Sequence, residues 1–286
     1  MSGQPPPPTF LIVGAERSAT RWLRSNLDRH PEILAPPVDI GWFSDLEAMQ
    51  TRGRRWYQSQ FDSWDGEPVL GEASVGYLKL GNRVADVVDR IHHHVPDVRL
   101  VALIRDPIDR LESAVRAAVK RGRLPADVDV YELIRSNAPA VAQLELIGAG
   151  LYAASLYPYL RIFRDQVLVI DYADVVAQPE KVYESVLRHI GASVDLAPTD
   201  VDRVLFSDRE VVSVPLLTEV QRKVVYSAFR ADVEELEVLL GRDLSAWDPG
   251  IAPFERADDV ESVLAAVPLP WPAPDPFELD IAATGS

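Results

Sequence analysis

A glycine-led loop follows the first apolar run of the sequence and contains the residue types that bind phosphate. Residues 10–13 read Phe-Leu-Ile-Val, and residues 14–20 read Gly-Ala-Glu-Arg-Ser-Ala-Thr. A tight loop that opens onto a helix presents unpaired amides and the positive end of the helix dipole, and both favour an anion. We therefore expect this loop to bind a phosphate-bearing group through Ala15, Glu16, Arg17, Ser18, Ala19, Thr20 and Arg21.

The loop departs from the pattern GxxxxGK[ST] of nucleoside triphosphatases. That pattern would need Gly at 19, Lys at 20 and Ser or Thr at 21, where this chain has Ala19, Thr20 and Arg21. The hydroxyl that binds Mg²⁺ is thus missing from its usual position. These residues argue against a kinase or ATPase and favour a metal-free reaction on a phosphate-bearing donor.

Residues 10–23 resemble the 5′-phosphosulfate loop of the sulfotransferases that use 3′-phosphoadenosine 5′-phosphosulfate (PAPS). Arg17 falls on the basic position of that loop, and Ser18 and Thr20 fall on its hydroxyl positions. Ala19 stands where the family usually has Gly, and Arg21 replaces the second hydroxyl. The resemblance implies that PAPS is the sulfuryl donor and that Arg17 stabilises charge on the bridging oxygen as the group leaves.

A second segment, residues 100–114, resembles the part of the family that binds the 3′-phosphate of the cofactor. An apolar run ends in Arg105-Asp-Pro, and Ser113 follows eight residues after the arginine. An arginine at the end of a strand offers a planar fork to a phosphate, and a serine on the next helix adds a hydroxyl donor. The resemblance implies that Arg105 and Ser113 hold this phosphate.

The resemblance also implies a catalytic base in the segment around Asp39. Aspartate is one methylene shorter than the family's usual Glu, and an ordinary pKa of about 3.9 makes it a weak base unless burial raises that value. Glu72, in a segment that resembles part of the substrate cleft, is the alternative carboxylate, or it orients Arg17. Trp42 and Phe43 either contact the acceptor or pack in the core.

The elements that must position these residues alternate along the chain. Apolar runs predict strands at 9–14, 69–72, 99–104 and 166–170. This alternation is typical of an α/β fold, a P-loop-like three-layer domain with a central, mainly parallel sheet flanked by helices. Helical spacing covers residues 19–30, 46–61, 81–93, 107–121, 131–136, 148–163, 179–190 and 218–240.

The composition indicates a globular protein without a strong general affinity for nucleic acid. The 286 residues include no cysteine and carry a formal charge of −15, with 47% hydrophobic residues. No signal peptide or transmembrane segment is evident, and we expect a cytoplasmic protein with no metal. We expect a disordered Pro-rich leader over 1–8, one domain over 9–249 and an acidic Pro-rich tail over 250–286. A late loop at 207–215 offers only Arg209 to close over the cofactor.

The predicted function is sulfuryl transfer from PAPS to a hydroxyl or amine of a carbohydrate, lipid or small-molecule acceptor. Two alternatives stay open at this point. One is a P-loop small-molecule kinase, which would need ATP and Mg²⁺. The other is a degenerate relative that binds the nucleotide without catalysis, which the departures at Ala19 and Arg21 would fit.

Overall fold

Five parallel strands form the central sheet, in the order β2-β3-β1-β4-β5. The computed structural model describes residues 4–79, 83–198, 201, 214 and 216–250. The predicted tail beyond residue 250 and the predicted loop around Arg209 lie outside these residues, as does the start of the helix predicted from residue 81. The strands are β1 (Phe10–Gly14), β2 (Ile33–Leu34), β3 (Val69–Ala73), β4 (Arg99–Ile104) and β5 (Val167–Asp171).

Eleven helices are found in the described ranges, and they connect and cover the strands. They are α1 (Thr20–Leu27), α2 (Leu46–Ser59), α3 (Val84–His94), α4 (Pro107–Lys120), α5 (Val130–Arg135), α6 (Pro139–Gln143), α7 (Tyr152–Phe163), α8 (Tyr172–Ala177), α9 (Pro179–Ile190), α10 (Glu219–Tyr226) and α11 (Arg230–Leu240). The α/β prediction with a parallel sheet between helices is confirmed.

The central strand β1 is buried on both faces, which explains its unbroken apolar run. Leu11 and Val13 pack on one side with α3 and α7, and Phe10 and Ile12 pack on the other side with α1 and α9. Successive side chains of a strand point to opposite faces, so one strand supplies both halves of the core. Because all five strands are parallel, their carboxyl ends meet at one edge, where the loop after β1 lies.

The structure corrects several predicted boundaries. The helix predicted over 218–240 is two helices, α10 and α11, with a break at Ser227–Phe229. The helix predicted from 148 begins as a short 3₁₀ turn, and β2, α6 and α8 were not predicted. Of the residues before β1, Pro8 is buried, and Pro6 and Pro7 line a small pocket beside Trp42.

Candidate active site

The loop between β1 and α1 forms a tight turn at the carboxyl edge of the sheet. The amide of Ala15 donates to the carbonyl of Leu103 on β4 at 2.7 Å, and the amide of Ser18 donates back to the carbonyl of Ala15 at 3.2 Å. Ala19 lies in the left-handed region, with φ 70°, and no side chain caps the start of α1. The first amides of this helix therefore lack the side-chain acceptor that usually satisfies them.

Two buried hydroxyls at this loop make no hydrogen bond of normal geometry within the described residues. They are the Ser18 Oγ, on a residue with 0% exposure, and the Tyr152 hydroxyl at the start of α7. Burial raises the pKa of Tyr152 to about 12, while the Arg110 charge and the nearby Ser18 hydroxyl act in the opposite direction. Tyr152 thus stays protonated as a donor, and unsatisfied buried donors are rare outside ligand sites. This loop fits an anion such as the phosphosulfate end of PAPS.

The structure brings together the two basic segments that the sequence singled out. The Arg17 Nε donates to the Ser113 Oγ on α4 at 3.0 Å. The Arg105 Nη1, from the end of β4, donates to the carbonyl of Arg17 at 3.2 Å. Three of the predicted phosphate-binding residues therefore lie in one cluster beside the loop, although Arg17 and Ser113 are 96 positions apart in sequence.

An aromatic ring that the sequence analysis missed supports Arg105. The guanidinium carbon lies 4.3 Å from the centre of the Tyr172 ring, at the start of α8, in a cation–π contact. The Arg105 Nε is buried with no partner within the described part of the chain. The guanidinium is thus held in place on its face, and one of its donors is still available to a ligand.

Two carboxyl groups lie behind the loop, on either side of Ser74. Glu72 is completely buried at 0% exposure, and it accepts hydrogen bonds from the hydroxyls of Tyr57 at 2.9 Å, Ser74 at 2.5 Å and Tyr77 at 2.7 Å. Asp39 is an exposed residue whose carboxyl group faces the Ser74 hydroxyl and the Val75 amide. The predicted base and its predicted alternative therefore belong to one network.

The pKa values of both carboxyl groups are raised. Burial raises the pKa of Glu72 to about 7, against the opposing hydrogen bonds from Ser74, Tyr77 and Tyr57. Desolvation also raises the pKa of Asp39, while Ser74, Val75 and the charges of Lys79 and Arg24 act to lower it. The weakness of an ordinary aspartate as a base is thus reduced here.

Lys79 links the phosphate loop to the region of Asp39. Its ammonium group forms ion pairs with Glu16 of the loop at 2.7 Å and with Glu145 at 3.3 Å, and all three side chains are half-buried. Although burial opposes ionisation of Glu16, Lys79 lowers the pKa of that carboxyl. Lysine 79 was not predicted from the sequence, because no motif marks it.

The remaining predicted residues divide between core and surface. Trp42 and Phe43 are buried at 3% and 0% exposure, and the Trp42 ring stacks on Tyr57 with centroids 4.5 Å apart. Both side chains belong to the hydrophobic core, and their contact with an acceptor stays a prediction. Thr20 is buried in the first turn of α1, whereas Arg21 points outward and is exposed.

Within the described ranges, no helix is both long enough and apolar enough to cross a membrane. The same residues contain no group of three or more His, Asp or Glu side chains that could hold a metal ion.

The sequence and structure are similar to those of known sulfotransferases. The sequence profile of the sulfotransferase family matches residues 82–195, which include Arg105 and Ser113. A crystal structure of a sulfotransferase from Alicyclobacillus acidocaldarius shares 29% sequence identity, covers 85% of this chain and 99% of its own, and has a TM-score of 0.71.

Curated relatives match over shorter stretches. The membrane-associated sulfotransferase kil1 of Dictyostelium discoideum is 25% identical over 41% of this chain and 25% of its own length. The heparan sulfate glucosamine 3-O-sulfotransferase 3B1 of Mus musculus is 25% identical over 60% of this chain and 43% of its own. The chain therefore spans less than half the length of these two relatives.

Proposed function

We propose that this chain is a sulfotransferase, which transfers a sulfuryl group from PAPS to a hydroxyl or amine of a carbohydrate or similar acceptor. One observation carries the proposal: Arg17, Ser113 and Arg105 join in a single hydrogen-bonded cluster beside the buried, unpartnered hydroxyl of Ser18. Such an array of donors suits a ligand with two separate anionic groups. The cytoplasmic location expected from the sequence stays a prediction.

Each end of the donor molecule has its own set of residues. The loop amides, the Ser18 hydroxyl and the Thr20 hydroxyl would hold the 5′-phosphosulfate, and the Tyr152 hydroxyl adds a buried donor beside Ser18. Arg105 and Ser113 would hold the 3′-phosphate. When bound, PAPS supplies the sulfuryl group and leaves as 3′-phosphoadenosine 5′-phosphate (PAP).

Arg17 would act by charge. An arginine stays protonated at any pH at which the protein is folded, so it cannot serve as a proton donor. It would instead stabilise the negative charge that grows on the bridging oxygen, and its bond to Ser113 fixes it before the reaction begins. Preorganised donors of this kind contribute about a hundredfold or more to the rate.

Asp39 would remove the proton of the acceptor. Its carboxyl group is reachable from solvent, unlike that of Glu72, and its pKa is raised by desolvation. The carbohydrate class is suggested by the curated relatives, one of which is the heparan sulfate glucosamine 3-O-sulfotransferase described above. Heparan-derived saccharides are therefore the first acceptors to test.

A transfer assay tests the proposal. The purified chain would be incubated with sulfur-labelled PAPS and with desulfated heparan sulfate, a lipid alcohol or a phenol. We expect label in at least one acceptor and a loss of about a hundredfold or more with Arg17→Ala, while thermal unfolding stays unchanged. Arg188→Ala, an exposed arginine on α9, is the matched control and should retain activity.

Two results would overturn the proposal. One is turnover of ATP with Mg²⁺ in place of PAPS, which would indicate a kinase. The other is PAP binding without transfer to any acceptor, which would indicate a relative that binds the nucleotide without catalysis.

A further inference from the structure

The Ser74 hydroxyl lies between two carboxyl groups but has only one proton to donate, so it can donate a hydrogen bond to only one of them at a time. Its Oγ is 2.5 Å from the Glu72 Oε2 and accepts a hydrogen bond from the Gly41 amide at 2.8 Å. The Asp39 carboxyl faces the same hydroxyl. A serine hydroxyl has one proton to donate and two lone pairs to accept with, so a protonated neighbour on one side frees it to donate to the other.

Glu72 is shielded from solvent and has one carboxylate oxygen directed at Ser74. The residue is completely buried, and the hydroxyls of Tyr57 and Tyr77 both donate to its Oε1 at 2.9 and 2.7 Å. Its Oε2 accepts a hydrogen bond from Ser74, so the Ser74 hydroxyl is the group that lies between Glu72 and Asp39. No step of the proposed transfer has so far used this carboxyl group.

We propose that Glu72 finally receives the proton that Asp39 removes from the acceptor, and that the Ser74 hydroxyl carries it between them. This inference rests on the proposed function. As the acceptor oxygen would bond to sulfur, the bond between sulfur and the bridging oxygen of PAPS would break, and PAP would leave with its negative charge stabilised by Arg17. The O–H bond of the acceptor would break at the same time, and its proton would go to an Asp39 oxygen. The new Asp39 O–H then gives its proton to Ser74 Oγ, and Ser74 Oγ releases its own proton to Glu72 Oε2.

The direction of this relay follows from the two environments. Complete burial raises the pKa of Glu72 to about 7, whereas Asp39 is exposed, and hydrogen bonds from Ser74 and Val75 and the charges of Lys79 and Arg24 all oppose the rise in its pKa. A proton therefore moves favourably from Asp39 to Glu72. The proton taken up by Asp39 thus ends on Glu72, which is the stronger base of the two. Glu72 itself does not touch the acceptor and is a positioning residue that acts through Asp39.

The charged and titratable groups around the relay come from several elements. Tyr57 on α2 and Tyr77 after β3 face Glu72, and both have pKa values raised by burial and by the Glu72 charge. Lys79 and Arg24 face Asp39, and the two carboxyl groups repel one another. Because they interact, Asp39 and Glu72 should titrate as a coupled pair.

The pH dependence of the rate tests the relay. We expect kcat of the wild type to fall as the pH drops through about 7, because Glu72 is then already protonated. Glu72→Gln and Ser74→Ala should each lower kcat by about tenfold or more and shift this acid limb to lower pH. Ser74→Thr keeps a hydroxyl and should restore both.

Two controls separate the relay from a structural role. Tyr57→Phe removes a hydroxyl from Oε1 only, so it should move the acid limb to higher pH and leave the kcat plateau unchanged. PAP affinity, measured by calorimetry, should be the same in all of these variants. A lower kcat with an acid limb that stays in place in Glu72→Gln would overturn the relay.

A second readout does not depend on activity. Carbon-13 NMR of the side-chain carboxyls should show that Asp39→Asn lowers the pKa of Glu72, because the like charge of Asp39 is removed. Transfer activity with independent titration of the two groups would overturn the relay alone. Coupled titration without transfer to any acceptor would overturn the proposed function, and the relay with it.

Discussion

The Arg17 Nε donates to the Ser113 Oγ at 3.0 Å and so ties the phosphate loop to α4 across 96 residues of sequence. The carbonyl of the same arginine accepts from Arg105 at 3.2 Å. The residues assigned to the 5′-phosphosulfate and those assigned to the 3′-phosphate are therefore linked directly by hydrogen bonds. A change in one of them should affect both cofactor binding and catalysis.

Ser113→Ala should show this dual effect. It removes a donor for the 3′-phosphate and also the partner of Arg17. Hydrogen bonds to charged groups contribute about 1.5–3 kcal/mol, so PAP should bind about tenfold or more weakly. We also expect kcat to fall because Arg17 loses its fixed orientation. Calorimetry and a kcat measurement check the two parts, with Ser185→Ala on α9 as the control. Unchanged values for both would contradict the assignment.

The ring of Tyr172 should contribute to cofactor binding through Arg105. Tyr172→Leu removes the cation–π contact at 4.3 Å, whereas Tyr172→Phe keeps the ring. Contacts of this kind contribute about 0.5–2 kcal/mol, so PAP should bind several-fold more weakly to the leucine variant. The phenylalanine variant should match the wild type in the same titration. Equal weakening in both variants would assign the effect to the hydroxyl group.

The left-handed backbone conformation at position 19 should accept glycine in place of alanine. A φ of 70° costs a non-glycine residue about 1–2 kcal/mol, and glycine relieves that cost. Glycine also increases the entropy of the unfolded chain and removes a buried methyl group. We therefore expect Ala19→Gly to change the free energy of unfolding by less than about 1 kcal/mol and to retain PAP binding.

Ala19→Val supplies the contrast, because a β-branched residue is a genuine outlier at positive φ. We expect a loss of more than about 2 kcal/mol in chemical denaturation, together with weaker PAP binding. A valine variant as stable as the wild type would show that the loop does not keep this conformation.

Burial of Glu72 should make stability depend on pH in a defined direction. Its pKa is about 7 in the folded chain against 4.5 for an unperturbed glutamate. A raised folded pKa contributes stability that is complete below the unfolded pKa and is lost as the pH rises through the folded value. Between pH 4.5 and 7, the free energy of unfolding should therefore fall relative to Glu72→Gln, by an amount on the order of 3 kcal/mol.

Denaturant titrations of both proteins at several pH values measure this difference. The exposed Glu234 offers a control, because Glu234→Gln should leave the pH dependence of the wild type unchanged. A constant difference between wild type and Glu72→Gln across this range would contradict the raised pKa of Glu72.

The strands and the basic cluster were predictable because their signals are local. β1 and β4 are apolar runs buried on both faces, and β5 is a partly buried apolar run that ends beside the site. Arg105 and Ser113 have a fixed spacing, and the helix that begins at Pro107 between them places Ser113 on α4. β2 was missed because two paired residues, Ile33–Leu34, are too few to show a pattern. Short strands depend on their neighbours, which sequence periodicity does not record.

The break between α10 and α11 could not be predicted because no glycine or proline marks it. Its cause is tertiary. The buried Phe229 ring approaches Gly150 so closely that a Cβ there would lie 2.9 Å from it. One turn further, the Asp232 carboxylate accepts hydrogen bonds from the amides of Ala153 and Ala154 at the start of α7. The chain bends so that both contacts form.

The roles of Ser74 and Lys79 were also beyond the sequence. Ser74 matters because it lies between Asp39 and Glu72, and Lys79 matters because it pairs with both Glu16 and Glu145. Each relationship joins residues that are distant in sequence. Only the fold shows that they belong to the site.

Calorimetric titration with PAP in the absence of metal tests the central claim most directly. We predict saturable binding by the wild type, binding about tenfold or more weaker to Arg105→Ala, and unchanged binding to Arg188→Ala. ATP with Mg²⁺, titrated in parallel, should not compete. A folded sample that binds no PAP, or that binds it equally well without Arg105, would contradict the assignment of this site to a PAPS-dependent sulfotransferase.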